Sequence, residues 1–167
     1  MGNLRRKSRV RTFPMGNSLP EERSFSLKLI PVSLVLFYRQ PGPEVLEVWV
    51  QTRTDDGIYH GLLEFPGGGI EQGETPLVAA VREVMEEVGL NINPDHGKFM
   101  GIYRRTMPEK AILLYLHLFP PAPGLDEKGQ WLKITRENLS SPYEGKIPQP
   151  NHQMIDDLYR YLYDERL

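Results

Sequence analysis

The sequence predicts an α+β fold, a sandwich of helices on a mixed sheet. Three observations carry this. Strand-like segments stand on both sides of one amphipathic segment at helical spacing. A second amphipathic segment closes the chain. The 167 residues show no repeat and no long low-complexity linker, and that length suits one domain.

Each element has a local reason. Residues 27–38 are rich in Leu, Ile and Val and read as a strand, and the turn residues Gln40-Pro41-Gly42-Pro43 follow. Val45–Thr52 alternates, with Leu46, Val48 and Val50 on one apolar face, so it reads as a second strand. A polar loop over 54–61 leads to a short strand at 62–65, closed by Pro66-Gly67-Gly68-Gly69. Thr75-Pro76 combines an N-cap hydroxyl with proline at the first helical position. Leu77, Ala80, Val81, Val84 and Val88 follow at helical spacing, and Gly89 stops the helix. Strands are expected at 99–103, 111–119 and 130–134, with a loop at 124–129. The final helix is placed at 151–163, burying Met154, Ile155, Leu158 and Leu162.

Composition narrows the chemistry. Zero cysteines exclude disulfides, a thiolate nucleophile and cysteine zinc sites, and fit a reducing, cytoplasmic location. No apolar run approaches the ~18 residues of a membrane span. The net charge of −2 conceals five basic residues in the first fourteen and an excess of seven acids in the rest. Residues 1–26 read as a basic, flexible extension, with Met15 an alternative start, and 27–167 as the domain. An acidic body that handles phosphates needs a metal and a few placed cations.

The segment at 68–90, GGIEQGETPLVAAVREVMEEVGL, carries the chemistry. Glu83, Glu86 and Glu87 stand at i, i+3 and i+4, so they share one helix face and repel each other. A solvated acidic face is the plain reading. Arg82, placed to hold Glu86, and the glycine-rich approach to the helix argue for a site instead. Three converging carboxylates beside backbone carbonyls favour Mg²⁺, with Mn²⁺ the alternative. The four histidines lack zinc-ligand spacing.

This segment resembles the Nudix box, G-x5-E-x7-R-E-U-x-E-E-x-G-U with U aliphatic, at Gly68, Glu74, Arg82, Glu83, Val84, Glu86, Glu87, Gly89 and Leu90. The resemblance implies the Nudix fold, an α/β/α sandwich with a mixed sheet, and hydrolysis of a nucleoside diphosphate linked to another group. It implies Glu83, Glu86 and Glu87 as metal ligands, the carbonyl of Gly67 as a further one, Arg82 as their orienting partner and Glu74 as a support of the loop. It extends to the MutT-like branch over about residues 27–163. There, Arg53 has the spacing of a nucleotide-contacting arginine. Glu127 resembles a loop carboxylate that serves as ligand or base, with Asp126 a competitor. Asn151 resembles a reader of a guanine-type base, and it could equally cap the last helix.

The expected activity is Mg²⁺-dependent cleavage of a guanine nucleoside 5′-triphosphate to monophosphate and pyrophosphate. The alternative substrate is the 5′-triphosphate end of RNA, whose removal starts mRNA decay. Nucleotide-sugar hydrolysis and a catalytically silent nucleotide sensor are further readings. No membrane partner is expected, and a homodimer is left open.

Overall fold

The computed structural model describes residues 27–139 and 146–164. The basic segment 1–26 and Met15 lie outside the described residues. Seven strands and two α-helices follow in order: β1 (Lys28–Gly42), β2 (Val45–Thr52), β3 (Leu63–Glu64), β4 (Gly67–Gly69), α1 (Pro76–Val88), β5 (Lys98–Thr106), β6 (Lys110–Phe119), β7 (Gln130–Ile134) and α2 (Gln149–Tyr163). The path through the sheet is β3-β2-β1-β6-β5, with β4 on β1 and β7 on β2.

The long β1 organises the sheet. Its first ten residues pair in parallel with Lys110–Phe119 of β6. Val32, Ser33 and Leu34 pair antiparallel with Gly69, Gly68 and Gly67 of β4. Its end pairs antiparallel with β2, Tyr38 and Arg39 opposite Val48 and Glu47, with a register shift before Gly42 meets Val45. Because successive side chains alternate across a strand, β1 feeds two cores. Leu36, with Leu46, Val48 and Val50 of β2, packs under Met154, Ile155, Leu158 and Tyr159 of α2. Val35 and Phe37, with Trp49, pack under Ala80, Val84 and Val88 of α1. The sheet is thus sandwiched between helices, as expected.

Polar atoms in these cores are paired. The Trp49 indole donates to the Leu125 carbonyl at 3.0 Å, and the Tyr159 hydroxyl to the Glu44 carbonyl at 2.9 Å. His117, buried on β6, lies 3.4 Å from the Ser33 hydroxyl, which donates to the Pro76 carbonyl at 2.6 Å. That histidine is structural. Among the described residues no helix is long and apolar enough to cross a membrane.

Helix α1 begins and ends as its sequence dictates. The Thr75 hydroxyl accepts from the Val78 N–H, Pro76 opens the helix, and Gly89 closes it at φ 73°. One element and several boundaries differ from expectation, among them β5, which runs past 103 to Thr106. The glycines at 67–69 form a strand, not a loop, because their bare backbone fits between β1 and α1. The first strand runs four residues further than expected, to Gly42. Helix α2 starts at Gln149 after Pro148, so Asn151 lies inside its first turn and is not its cap. Pro150 is tolerated there because first-turn N–H groups need no helical acceptor.

Candidate active site

Helix α1 carries its carboxylates against β4 and the loop that follows. Arg82 fixes this arrangement. Its Nε and Nη2 donate to the two oxygens of Glu74, at 2.7 and 2.9 Å. Its Nη1 reaches Glu83 at 2.7 Å and Glu86 at 3.2 Å, and Nη2 also reaches the Gly69 carbonyl at 2.9 Å. One guanidinium therefore ties the loop, the strand and the helix together. Its own proton is held more tightly than usual, chiefly by the bond to Glu74. Glu74, which also accepts the Glu71 N–H, has its pKa lowered to about 2, chiefly by Arg82.

The glycines of β4 explain themselves sterically. A Cβ on Gly68 would stand 2.4 Å from Oε1 of Glu83, and one on Gly67 would stand 2.1 Å from the Ser33 carbonyl oxygen. Close approach of the Glu83 carboxylate requires Gly68 to be bare, and close approach of β1 requires the same of Gly67. The Gly67 N–H donates to Glu87 at 3.1 Å, and the Gln51 amide donates to the same oxygen at 2.9 Å.

Glu87 faces a cleft of about 490 Å³ that Gln51, Arg53, Asp55, Glu64, Gly67 and Lys128 also line. Burial pushes the carboxyl pKa values of Glu64 and Glu87 up. The charge of Glu87 adds to the shift of Glu64, and that of Glu83 to the shift of Glu87. Arg53 stands between Asp55, at 2.7 Å from Nη2, and Glu64, at 3.1 Å from Nη1. It lies on the wall shared with a second cavity of about 260 Å³. Val32, Leu34, Phe65, Ile112 and Leu114 give that cavity apolar sides, and the buried Asn151 also lines it. The Tyr59 ring lies beside it, under the Arg105 guanidinium at 4.6 Å.

The sequence-derived residues fall into three groups. Gly67, Arg82, Glu83, Glu86 and Glu87 are assembled around β4 and α1, and Arg53 and Asn151 line the adjoining cavities. Glu127 is exposed in a 3-10 turn over Leu125–Glu127 and does not line the cleft, although its neighbours Lys128 and Gly129 do. Asp126 is occupied by the Trp131 indole and lies 3.7 Å from Arg39. Glu64, Asp55, Gln51, Tyr59 and Arg105 were missed as site residues. Glu64 alone had a local signal, its place just before the glycines. The others come together only through the fold.

The donor set suits a hard divalent cation: carboxylates and a carbonyl, with two desolvated acids whose charges repel. Among the described residues no three acidic or histidine side chains stand close enough to hold a metal. Arg82 draws Glu83 and Glu86 to itself, whereas Glu87 faces the cleft.

Comparison with known proteins follows the same lines. The NUDIX domain model matches residues 28–144. The 8-oxo-dGTP diphosphatase of Escherichia coli strain K12 is 33% identical over 119 residues, which cover 68% of this chain and 87% of that protein. The RNA pyrophosphohydrolase of Psychrobacter arcticus is 28% identical over 106 residues, covering 61% of this chain and 60% of the relative. The crystal structure of a MutT protein from Methanosarcina mazei Go1 superposes with a TM-score of 0.63 at 16% identity, covering 83% of this chain and 99% of that one, and shares the fold.

Proposed function

This chain belongs to the NUDIX domain family, whose members are hydrolases of phosphoric anhydrides, and on that premise we propose that it cleaves a guanine nucleoside 5′-triphosphate to the monophosphate and pyrophosphate. One observation carries the reading. The acidic cleft and the apolar cavity meet at Arg53, Glu64 and Gly67, so phosphates and a base attached to them have adjoining places.

Each residue then has a task. Arg82 holds α1 and β4 in register, so the carboxylates keep their positions as charge builds up. Arg53 takes phosphate oxygens with its planar fork. Asn151, with both donor and acceptor, pairs with a purine edge inside the cavity it lines. Glu87, made basic by burial, is suited to accept a proton or to ligate. Glu127 borders the cleft through Lys128 and Gly129 and is proposed as a further carboxylate of the reaction. Glu87 and the carbonyl of Gly67, joined by Glu83, Glu86 and Glu127 through side-chain movement, would hold Mg²⁺, or Mn²⁺, which would supply charge neutralisation of phosphate oxygens and Lewis acidity.

A second reading, action on the 5′-triphosphate end of RNA, is favoured by a specific feature. A further groove of about 460 Å³ adjoins the apolar cavity through Tyr59, Arg105 and Pro150. Tyr103, Arg104, Gln149 and Gln153 also line it, and none of its lining residues is acidic. Rings and guanidiniums of this kind stack on bases and contact phosphodiesters.

The deciding experiment compares kcat/KM, with Mg²⁺, for GTP, dGTP, 8-oxo-dGTP, ADP-ribose and a 5′-triphosphorylated RNA. A guanine triphosphate preferred over ADP-ribose is the expected result. RNA preferred by orders of magnitude would establish the second reading, and turnover of ADP-ribose alone would overturn both.

A further inference from the structure

The guanidinium of Arg53 is already bound to an anion. Its Nε and Nη2 meet Oδ1 and Oδ2 of Asp55 at 2.5 and 2.7 Å, a two-pronged contact of the kind a phosphate would make. Its remaining nitrogen, Nη1, donates to Glu64 at 3.1 Å. The two partners differ. The Glu64 side chain is 18% exposed and holds Arg53 from within, whereas that of Asp55 is 54% exposed at the lip of the cleft.

The backbone here is pinned. The Arg53 N–H donates to the Leu62 carbonyl at 2.8 Å, and the Gly61 N–H donates to the Arg53 carbonyl at 2.9 Å. Exchange of Asp55 for another anion is therefore a side-chain movement. Glu64 keeps the guanidinium oriented while its outer edge changes partner.

We infer that Asp55 is an internal competitor for the phosphate-binding edge of Arg53, so that a triphosphate enters by displacing it and products leave as it returns. This rests on the proposal that Arg53 binds substrate phosphate. Asp55 sets affinity and does not touch the reacting atoms.

The test measures binding, by titration calorimetry with Mg²⁺, of a guanosine triphosphate analogue whose α,β-bridging oxygen is a methylene. In Asp55→Asn its Kd should fall about 3- to 10-fold. The same change in an Arg53→Ala background should leave Kd where Arg53→Ala alone puts it. Asp56→Asn, which removes an adjacent exposed charge, should have no such effect. With the hydrolysable triphosphate, KM should fall in Asp55→Asn while kcat does not rise. An unchanged or weaker Kd in Asp55→Asn overturns the inference but leaves the hydrolase reading intact. So does an equal fall in Asp56→Asn or in the Arg53→Ala background, since either would reflect overall charge. Failure of every variant and the parent to bind the analogue overturns the nucleotide reading, and the competitor role with it.

Discussion

Glu74 and Glu87 stand at opposite ends of one electrostatic design, and pH separates them. Arg82 lowers the Glu74 pKa to about 2, so its pairing stabilises the fold above the unfolded value of 4.5 and is lost as pH falls towards 2. Glu74→Gln should therefore lower Tm at pH 7 and match the parent near pH 2. Burial raises the Glu87 pKa, so its charge costs stability only as pH rises above 4.5. Glu87→Gln should show a Tm equal to or above the parent at pH 7, without metal, and no difference below pH 4. Its turnover at saturating Mg²⁺ should drop about 10²-fold or more, the scale of losing one charge contact to a reacting centre. A kinetic trace near the parent's would remove Glu87 from the chemistry. Asn151 is not a helix cap, so Asn151→Ala should spare stability more than selectivity. Loss of about 1–3 kcal/mol in discrimination for guanine over other bases, measured as kcat/KM ratios, is expected; a uniform loss on every substrate would contradict base reading. The i, i+4 pairing of Arg82 with Glu86 was legible because spacing in one helix fixes it. Asp55, Tyr59 and Arg105 were not, since an ion pair at i, i+2 or a ring beneath a distant guanidinium leaves no periodic trace.

At the scale of elements, α1 was readable almost to the residue. Thr75, Pro76 and Gly89 act locally, each through its own backbone preference. Strand β4 was unreadable for the converse reason. Three glycines offer no alternation, and their pairing with Val32, Ser33 and Leu34 is decided by a strand more than thirty residues earlier. This yields a sharp prediction. Gly68→Ala places a methyl 2.4 Å from Oε1 of Glu83, so the Glu83 carboxylate must move. Turnover should fall by at least 10-fold, a shift of position being costly to catalysis. Circular dichroism should still show the parent's secondary structure. Gly69→Ala, where an added Cβ meets nothing within 4 Å, is the control and should retain most activity. Equal losses in both variants would refute the steric account.

For the molecule as a whole, the three connected hollows make a prediction about substrate length. Arg104 and Gln153 line only the outermost one. If RNA ends are the substrate, the parent should act better on a 5′-triphosphorylated dinucleotide than on GTP. Arg104→Ala with Gln153→Ala should lose that gain and leave GTP turnover unaltered. An identical kcat/KM for both lengths in the parent would dismiss the RNA reading. The two-layered core was legible from alternation in β2 and periodicity in both helices, whereas the order of strands was not. Parallel pairing of β1 with β6 joins Lys28 to Lys110, and no local pattern announces a partner so far away. That separation has a consequence for how the molecule is made. During synthesis β1 emerges before β6 and must wait for it, so Val35, Leu36 and Phe37 stay without their partners His117, Leu118 and Phe119 until those residues have been made. Closing so long a loop is slow, and an unpaired strand of this kind is prone to association with other nascent chains. The yield of folded protein should accordingly depend on translation speed and temperature more than its final stability would suggest.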